Sequence, residues 1–174
     1  MKLFFLLGNQ LFSEKYLEKF RKDHIFFMAE DYQLCTYEKH HKQKILLFLS
    51  AMRSHADKLK KNKFKIEYSS IEDKLFKSDY IEKLKKIIKT HKISEVSSFE
   101  IEDKFFEKKI FSFFKQNKID FEVIQSPMFL CSREKFKTFA KDKKQIRMAG
   151  FYQMMRKDLN VLLENGKPIG GKWS

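Results

Sequence analysis

The sequence predicts an α/β fold: a doubly wound, five-stranded parallel sheet in the order 3-2-1-4-5, with helices on both faces and a helical C-terminal extension. Five short apolar or alternating runs are separated by segments with helical periodicity, and this alternation favours right-handed crossovers within one parallel sheet. The first run, residues 3–7, is apolar throughout, which is typical of a strand covered on both faces. The pattern changes after Pro127, so we expect one domain over 1–126 and the extension over 127–174.

The strands and helices of the first domain follow from their periodicity. Strands are predicted where apolar residues run together or alternate, at 3–7, 24–29, 64–68, 93–99 and 119–124. Helices are predicted where apolar residues recur at spacings of three and four, namely after the capping residue Ser13 and at about 39–61, 77–91 and 103–116. A loop carrying Cys35 and Tyr37 is expected between the second strand and the long helix.

The extension is predicted to hold two helices and then a linker. Ser132 can cap a short helix that ends near Ala140, and a second helix is expected over 146–159. Residues 165–174 combine several glycines with a proline, a composition typical of a linker. Trp173 is then a large apolar group with nothing after it to cover it.

The chain is strongly basic. Its 174 residues include 37 Lys and Arg against 23 Asp and Glu, which gives a formal net charge of +14. A net positive charge of this size favours polyanionic partners, chiefly nucleic acid. The positive residues are spread along the chain and interrupted by acids, so a solvated lysine surface explains the charge equally well.

Cysteine usage and hydropathy indicate a cytoplasmic protein. The two cysteines, Cys35 and Cys131, lie far apart at no metal-ligand spacing, which suggests a reducing compartment, although a single bridge stays open. No stretch is long enough to span a bilayer, and no small-residue cleavage site follows the N-terminal apolar run. We therefore expect no membrane association.

Polar residues follow three of the predicted strands. Residues 8–10 (GNQ) follow the first strand, Glu30 follows the second and Glu100 follows the fourth. Residues 37–44 (YEKHHKQK) open the long helix, whose N-terminus offers unpaired N–H groups and a positive dipole end. Doubly wound sheets bind ligands at the carboxyl ends of their strands, beside the first strand, so we expect these groups to converge on a polar or anionic ligand.

Each of these residues also has a simpler interpretation. Residues 8–10 lack the G-x-G-x-x-G fingerprint of dinucleotide sites and can equally form a turn in which an amide caps backbone groups. Glu30 can equally be a solvated loop carboxylate. The side chains of His40 and His41 would point about 100° apart on a helix, which disfavours a shared metal ion. No nucleophile–base pair is evident in the sequence.

Six blocks of the chain, taken in order, resemble a known family. They are residues 7–11 (LGNQL), 37–44 (YEKHHKQK), 50–53 (SAMR), 129–136 (FLCSREKF), 144–156 (KQIRMAGFYQMMR) and 166–173 (GKPIGGKW). They look like the N-terminal domain of photolyase-related proteins. More closely, they are similar to the bacterial (6-4) photolyases that carry an iron–sulfur cluster, and the resemblance covers essentially the whole chain.

The resemblance implies a Rossmann-like antenna domain followed by an all-helical catalytic domain. In the characterised type, the antenna domain binds 6,7-dimethyl-8-ribityllumazine, while the helical domain binds FAD, damaged DNA and a [4Fe–4S] cluster held by four cysteines. Light taken up by the lumazine or flavin drives electron transfer from reduced FAD to the lesion. This sequence stops at Ser174, where the family continues, so we expect FAD and the cluster only in the absent domain and no complete photolyase from this chain alone.

The resemblance, together with position at the strand ends, assigns roles around the chromophore. The glycine would allow close backbone approach, an amide would bond the ring edge, the acid after the second strand would accept from a hydroxyl or ring N–H, the aromatic side chains would pack on the ring and the lysine would supply positive charge. The predicted cofactor-binding residues are Gly8, Asn9, Gln10, Glu30, Tyr37, His41, Lys44 and Glu100. Two positions depart from the family: an asparagine follows the first glycine in place of an acid, and residues 101–104 (IEDK) replace a Pro-Gly-Glu-Trp-like segment.

Two other functions remain open from the sequence. A chromophore-free module could use the basic surface to bind nucleic acid. Alternatively, the chain could be one half of a split photolyase that pairs through residues 127–174 with a separate FAD-binding helical subunit. The sequence leaves the oligomeric state open.

Overall fold

The computed structural model describes residues 1–173, which divide into two compact units. The first unit is Met1–Met128 and the second begins at Phe129. No helix within residues 1–173 is both long and apolar enough to cross a membrane.

The first unit is built on five parallel strands, and the predicted fold class is confirmed. The strands pair in the order β3-β2-β1-β4-β5, with Phe4 of the central strand opposite Phe26 on one side and Ser97 on the other. The strands are β1 (Lys2–Phe5), β2 (His24–Ala29), β3 (Ile66–Ser69), β4 (Glu95–Phe99) and β5 (Asp120–Ile124). The order reverses between β1 and β4, which is the switch point where open α/β sheets form a crevice.

Alternation along β1 explains the two hydrophobic layers of this unit. Leu3 and Phe5 belong to the core cluster that also contains residues of the helices at 80–91 and 104–116. Phe4, and Leu6 just after the strand, belong to the cluster that contains residues of the helix at 42–61. All four are at most 1% exposed. A strand buried on both faces explains the continuous apolar run in the sequence.

The first unit has four α-helices. They are α1 (Tyr32–Thr36), α2 (Lys42–Lys61), α3 (Tyr80–His91) and α4 (Lys104–Gln116). Asp79 caps α3 through the N–H of Ile81, and Asp103 caps α4 through the N–H of Phe106, each at 2.9 Å. The third helix therefore begins three residues later than the sequence predicts, where a carboxylate satisfies its N-terminus.

Two local predictions for this unit are wrong. Ser13 caps no α-helix: the segment forms two 3₁₀ turns, Glu14–Tyr16 and Glu18–Phe20, and the serine side chain makes no capping bond. Leu17 and Phe20 are buried three residues apart, a spacing that suits a 3₁₀ turn as well as an α-helix. The expected loop around Cys35 is largely the short helix α1, because Asp31 accepts a hydrogen bond from the N–H of Leu34.

The second unit holds two helices and a short hairpin. The helices are α5 (Arg133–Ala140) and α6 (Met148–Asp158), and the hydroxyl of Ser132 caps α5 through the N–H of Lys135, as predicted. The predicted linker instead pairs β6 (Leu163–Glu164) with β7 (Lys167–Pro168). Asn165 and Gly166 join these strands with φ of 49° and 75°, the backbone that a two-residue Asn-Gly hairpin turn requires.

The expectation that Trp173 lies uncovered is also wrong. The guanidinium carbon of Arg156 lies 5.4 Å from the centroid of the indole ring, and the Lys157 ammonium lies 5.2 Å from it. Arg156 is 7% exposed and donates to the backbone carbonyls of Val161, Leu162 and Trp173. One buried guanidinium thus ties helix α6 to the end of the described chain.

Candidate ligand-binding site

A cavity of about 480 Å³ opens at the carboxyl edge of the sheet in the first unit. Its walls come from the loops that follow β1, β2 and β4, from α1, from the first residue of α3, and from the first two turns of α2 and α4. The lining is mixed, with apolar and aromatic side chains such as Ile45, Phe48 and Phe106 beside a few polar groups. This composition is typical of pockets for small heterocyclic ligands.

Gly8 closes the cavity beside helix α2. A Cβ atom built at this position would lie 2.5 Å from Cε1 of Phe48 and 2.7 Å from Sδ of Met52. The sequence interpretation gave this glycine a role in close approach to a ligand. The structure gives it a packing role as well, because only a residue without a side chain lets α2 lie this close to the loop after β1.

Four of the predicted site residues line the cavity: Gly8, Asn9, Tyr37 and Lys44. His41 does not line it. Its Nδ1 atom accepts a hydrogen bond from the N–H of Gln43 at 3.2 Å and so caps α2. The neighbouring His40 forms part of the wall, and its Nδ1 atom lies 3.4 Å from the Lys44 ammonium.

Gln10 and Glu100 lie behind the wall and hold two loops together. Gln10 is fully buried, and its amide donates to the backbone carbonyl of Glu100 at 2.8 Å. A carboxylate oxygen of Glu100 accepts from the N–H of Ser126 at 3.0 Å. The first bond joins the loop after β1 to the loop after β4, and the second joins the loop after β4 to the segment after β5. Neither residue lines the cavity.

Glu30 is fully buried, and its carboxylate is occupied by internal donors. Arg53 donates to both oxygens, at 2.6 and 3.0 Å, while the Tyr68 hydroxyl and the N–H of Ile71 donate at 2.7 and 2.8 Å. Burial alone would raise the pKa of Glu30, but these hydrogen bonds outweigh it and hold the pKa below its ordinary value. Glu30 thus ties β2 to α2 and β3, and it is not part of the cavity wall.

A buried ion pair lies at the base of the cavity. The ammonium of Lys83, on α3, donates to the carboxylate of Asp31 at 2.7 Å and to the backbone carbonyl of Glu30 at 3.1 Å. Asp31 lines the cavity, and the Lys83 side chain is 1% exposed. The sequence held a signal for this pair, because Lys83 lies with Tyr80, Leu84 and Ile87 on the buried stripe of α3.

Two further wall residues, Tyr80 and Glu102, were not among the predicted site residues. Tyr80 is 6% exposed and its hydroxyl has no hydrogen-bond partner among residues 1–173. One carboxylate oxygen of Glu102 accepts from the Asn9 amide at 3.2 Å, and the other, Oε1, is buried without a partner in the same part of the chain. Both residues line the cavity.

Comparison with known proteins agrees with the motif blocks found in the sequence. The family model described as deoxyribodipyrimidine photo-lyase-related protein matches residues 4–174. The chain belongs to this family. Among curated proteins, a photolyase-related relative is the (6-4) photolyase of Agrobacterium fabrum (strain C58), which is 26% identical over 154 residues. The match covers 88% of this chain and 30% of that photolyase, so the chain spans about 30% of the relative's length.

The photolyase-related chain also contains a Ser–His–Asp arrangement that the sequence did not reveal. His24 contacts Asp23 through Nδ1 at 2.8 Å and the Ser97 hydroxyl through Nε2 at 3.3 Å. His24 and Ser97 are each 4% exposed, and neither lines the cavity. A substrate could not reach the hydroxyl, so this contact chain links β2 to β4 across the sheet rather than forming a hydrolytic site.

Within residues 1–173, no three His, Cys, Asp or Glu side chains cluster as a metal site would need. Both cysteines of the chain are free thiols. Burial, followed by the charges of Asp31 and Glu30, raises the pKa of Cys35, which keeps that thiol protonated beside the cavity.

Proposed function

We propose that the first unit binds a light-absorbing ribityl heterocycle, 6,7-dimethyl-8-ribityllumazine or a close analogue, in the cavity at the carboxyl edge of the sheet. The observation that carries this proposal is the cavity itself, whose volume of about 480 Å³ falls within the roughly 300–1,000 Å³ of small-ligand sites. Its place beside the β1–β4 switch point and the family membership support it.

The residues of the wall suit such a ligand. A flat ring system would pack against the apolar wall, which includes Ile45, Phe48 and Phe106. Ribityl hydroxyls and ring edge atoms would bond to the polar groups of Asn9 and Glu102. When bound, the chromophore would absorb violet light and pass the excitation to a flavin, as the resemblance implies for the antenna domain.

Occlusion of the cavity tests this proposal directly. We would titrate the full chain with 6,7-dimethyl-8-ribityllumazine and follow quenching of the ligand's fluorescence. Ile45→Trp fills the cavity from the first turn of α2, whereas Leu46→Trp adds the same ring at an adjacent position that is 68% exposed. We expect saturable binding by wild type and Leu46→Trp and none by Ile45→Trp. A wild-type protein that ignores both the lumazine and riboflavin would contradict the proposal.

The catalytic chemistry would reside outside residues 1–174. We place FAD and the [4Fe–4S] cluster of the iron–sulfur (6-4) photolyase type in a helical domain, supplied by the same polypeptide or by a separate subunit. Exposed apolar side chains in the second unit, including Phe129 at 57%, Leu130 at 77% and Met148 at 77%, suit contact with such a domain. Co-expression with an FAD-binding helical subunit from a neighbouring reading frame tests this, since a partner would bring flavin absorbance into the purified complex.

The charge of +14 favours a second function, contact with DNA. Binding through phosphates would release counterions, so the affinity for duplex DNA would fall steeply with salt concentration. Fluorescence anisotropy of a labelled duplex at 50 and 200 mM salt would measure this dependence. Absent or salt-insensitive binding would remove DNA contact from the functions of this chain.

A further inference from the structure

Two residues that line one cavity each carry a buried polar atom without a partner in the described part of the chain. These atoms are the Tyr80 hydroxyl and the Oε1 atom of Glu102, and neither has a hydrogen-bond partner within residues 1–173. Folded proteins satisfy the large majority of such atoms, because an unpaired buried donor or acceptor keeps its desolvation penalty. Two of them at the same cavity indicate hydrogen bonds that an occupant of the cavity would complete.

We propose that Tyr80 and Glu102 are the polar anchors that select the ligand of this cavity. Oε1 of Glu102 would accept a hydrogen bond from an N–H or O–H of the ligand, and the Tyr80 hydroxyl would bond a second polar atom of the same molecule. The ligand class is therefore an aromatic heterocycle with at least one hydrogen-bond donor at its edge or on its side chain. This inference rests on the proposed function and names the residues that carry it.

Packing holds the Tyr80 ring in place. Tyr80 is the first residue of α3, and its ring centroid lies 5.3 Å from that of Phe106, 6.4 Å from that of Phe27 and 6.5 Å from that of Phe5. Burial, together with the nearby charge of Asp31, raises the pKa of the phenol, so the hydroxyl keeps its proton at neutral pH. A fixed ring with a protonated hydroxyl offers a donor at a defined place.

Asn9 orients the carboxylate of Glu102. The Asn9 amide donates to Oε2 at 3.2 Å, which leaves Oε1 as the oxygen without a partner within residues 1–173. In this pair Asn9 is a positioning residue and Glu102 is the contact. An acid at position 9 would place a second carboxylate beside Glu102 and repel it, whereas the amide donates to it.

Glu102 takes the place of Glu30 as the acidic residue that would recognise the ligand. The sequence interpretation assigned that role to Glu30 at the end of β2, but both of its oxygens already accept internal hydrogen bonds. Glu102, in the loop after β4, lies on the other side of β1, and its Oε1 has no partner among the described residues.

The experiment compares two conservative substitutions with two matched controls. The dissociation constant of 6,7-dimethyl-8-ribityllumazine would be measured for the full chain carrying Tyr80→Phe or Glu102→Gln. The controls are Tyr16→Phe and Glu72→Gln, which make the same chemical changes away from the cavity. We expect Tyr80→Phe to raise the dissociation constant about 5-fold and Glu102→Gln about 20-fold, within the ranges for one lost neutral and one lost charge-assisted hydrogen bond. The controls would stay within about 2-fold of wild type, a change below 0.5 kcal/mol that single surface substitutions rarely exceed.

A second measurement separates ligand contact from folding. Removing an unpartnered buried hydroxyl should leave the melting temperature of ligand-free protein unchanged or raise it, so we expect no loss in Tyr80→Phe. A lower melting temperature would reveal an internal partner and overturn the inference. Wild-type binding with both cavity variants as tight as the controls would overturn it too, while the proposed function stood. Failure of the wild-type protein to bind would overturn both.

Discussion

At the scale of single residues, Glu30 has a structural role despite its place at the end of a strand. It is fully buried, and Arg53, Tyr68 and the N–H of Ile71 donate to its carboxylate. The sequence could place Glu30 at the ligand-binding edge, because strand ends follow from periodicity. It could not reveal that Arg53, 23 residues later, turns towards the same carboxylate. Burial by distant partners is a tertiary property that the local pattern does not encode.

Replacing Glu30 tests this structural role. We expect Glu30→Gln to lower the free energy of unfolding by about 1–3 kcal/mol at pH 7, because the buried donors lose a charged acceptor. The pKa of Glu30 is lowered in the folded protein, so its stabilisation is complete above the ordinary value of 4.5 and is lost as pH falls below it. In urea unfolding, the free energy of unfolding should decrease less between pH 7 and pH 3 in the variant than in wild type. An unchanged acid dependence would contradict this role.

His55 gives a second test that depends on pH. This residue of α2 is half-buried, and its Nε2 atom has no partner in the described part of the chain. Burial and then the charge of Lys58 lower the pKa of His55, against the opposing charge of Glu14. The unfolded chain therefore takes up the proton first, and stability falls as pH drops below about 6.5. The melting temperature should be measured from pH 7.5 to 5.5. We expect the part of its fall that comes from His55 to be absent in His55→Gln and present in the control His91→Gln.

At the scale of elements, helix α2 and the loop after β1 are packed against each other too closely for a side chain at position 8. We expect Gly8→Ala to destabilise the protein by about 1–3 kcal/mol, the usual range for overpacking. A smaller residue at Phe48 should restore part of the loss, because Phe48 supplies the nearest atoms. A double-mutant cycle of Gly8→Ala with Phe48→Leu would measure this coupling. Additive effects would show that the loop, and not the helix, absorbs the added methyl group.

The elements themselves were mostly predictable, and the errors have physical causes. The five strands and helices α2 to α4 follow from apolar runs and helical stripes. The segment after Ser13 is predicted as an α-helix but forms 3₁₀ turns. The prediction fails because the spacing of Leu17 and Phe20 fits both helix types. The Asn165–Gly166 turn was interpreted from composition as a linker, although this dipeptide is a strong hairpin signal.

The polar contacts of the cavity were less predictable than its walls. Gly8, Asn9, Tyr37 and Lys44 are close in sequence to a strand end or a helix start, and those positions follow from periodicity. Two buried polar atoms, the Tyr80 hydroxyl and Glu102 Oε1, have no hydrogen-bond partner among the described residues. The periodicity of a single sequence does not specify which side chains come within reach of such atoms.

At the scale of the whole molecule, the chain consists of a sheet-based unit and a smaller helical unit. Each unit has a buried charged side chain that joins several of its segments, Glu30 in the first and Arg156 in the second. The Arg156 guanidinium donates to three backbone carbonyls and lies over the indole ring of Trp173. Trp173 is the only tryptophan of the sequence, so its fluorescence reports on the second unit alone. The photolyase-related family membership then relates this two-unit chain to about 30% of a longer (6-4) photolyase.

Substitution of Arg156 tests how the second unit is held together. We expect Arg156→Lys to shift the Trp173 emission to longer wavelength, because one ammonium cannot reproduce the planar set of donors. Lys157→Arg is the matched control, since it keeps a cation beside the indole. Melting followed by circular dichroism at the same time would show whether the sheet-based unit keeps its stability. An unshifted emission in Arg156→Lys would mean that the carbonyls do not need the guanidinium.

The missing side chain of Gly8 has a consequence for how the colour of a bound pigment could be tuned. At position 8 the pigment would face main-chain atoms, and these are the same in every amino acid. Helix α2 leaves no room for a larger residue at this position. Changes in the absorption of a bound pigment would therefore have to come from side chains of the cavity wall other than position 8. Asn9 and Glu102 are the first positions to vary for that purpose.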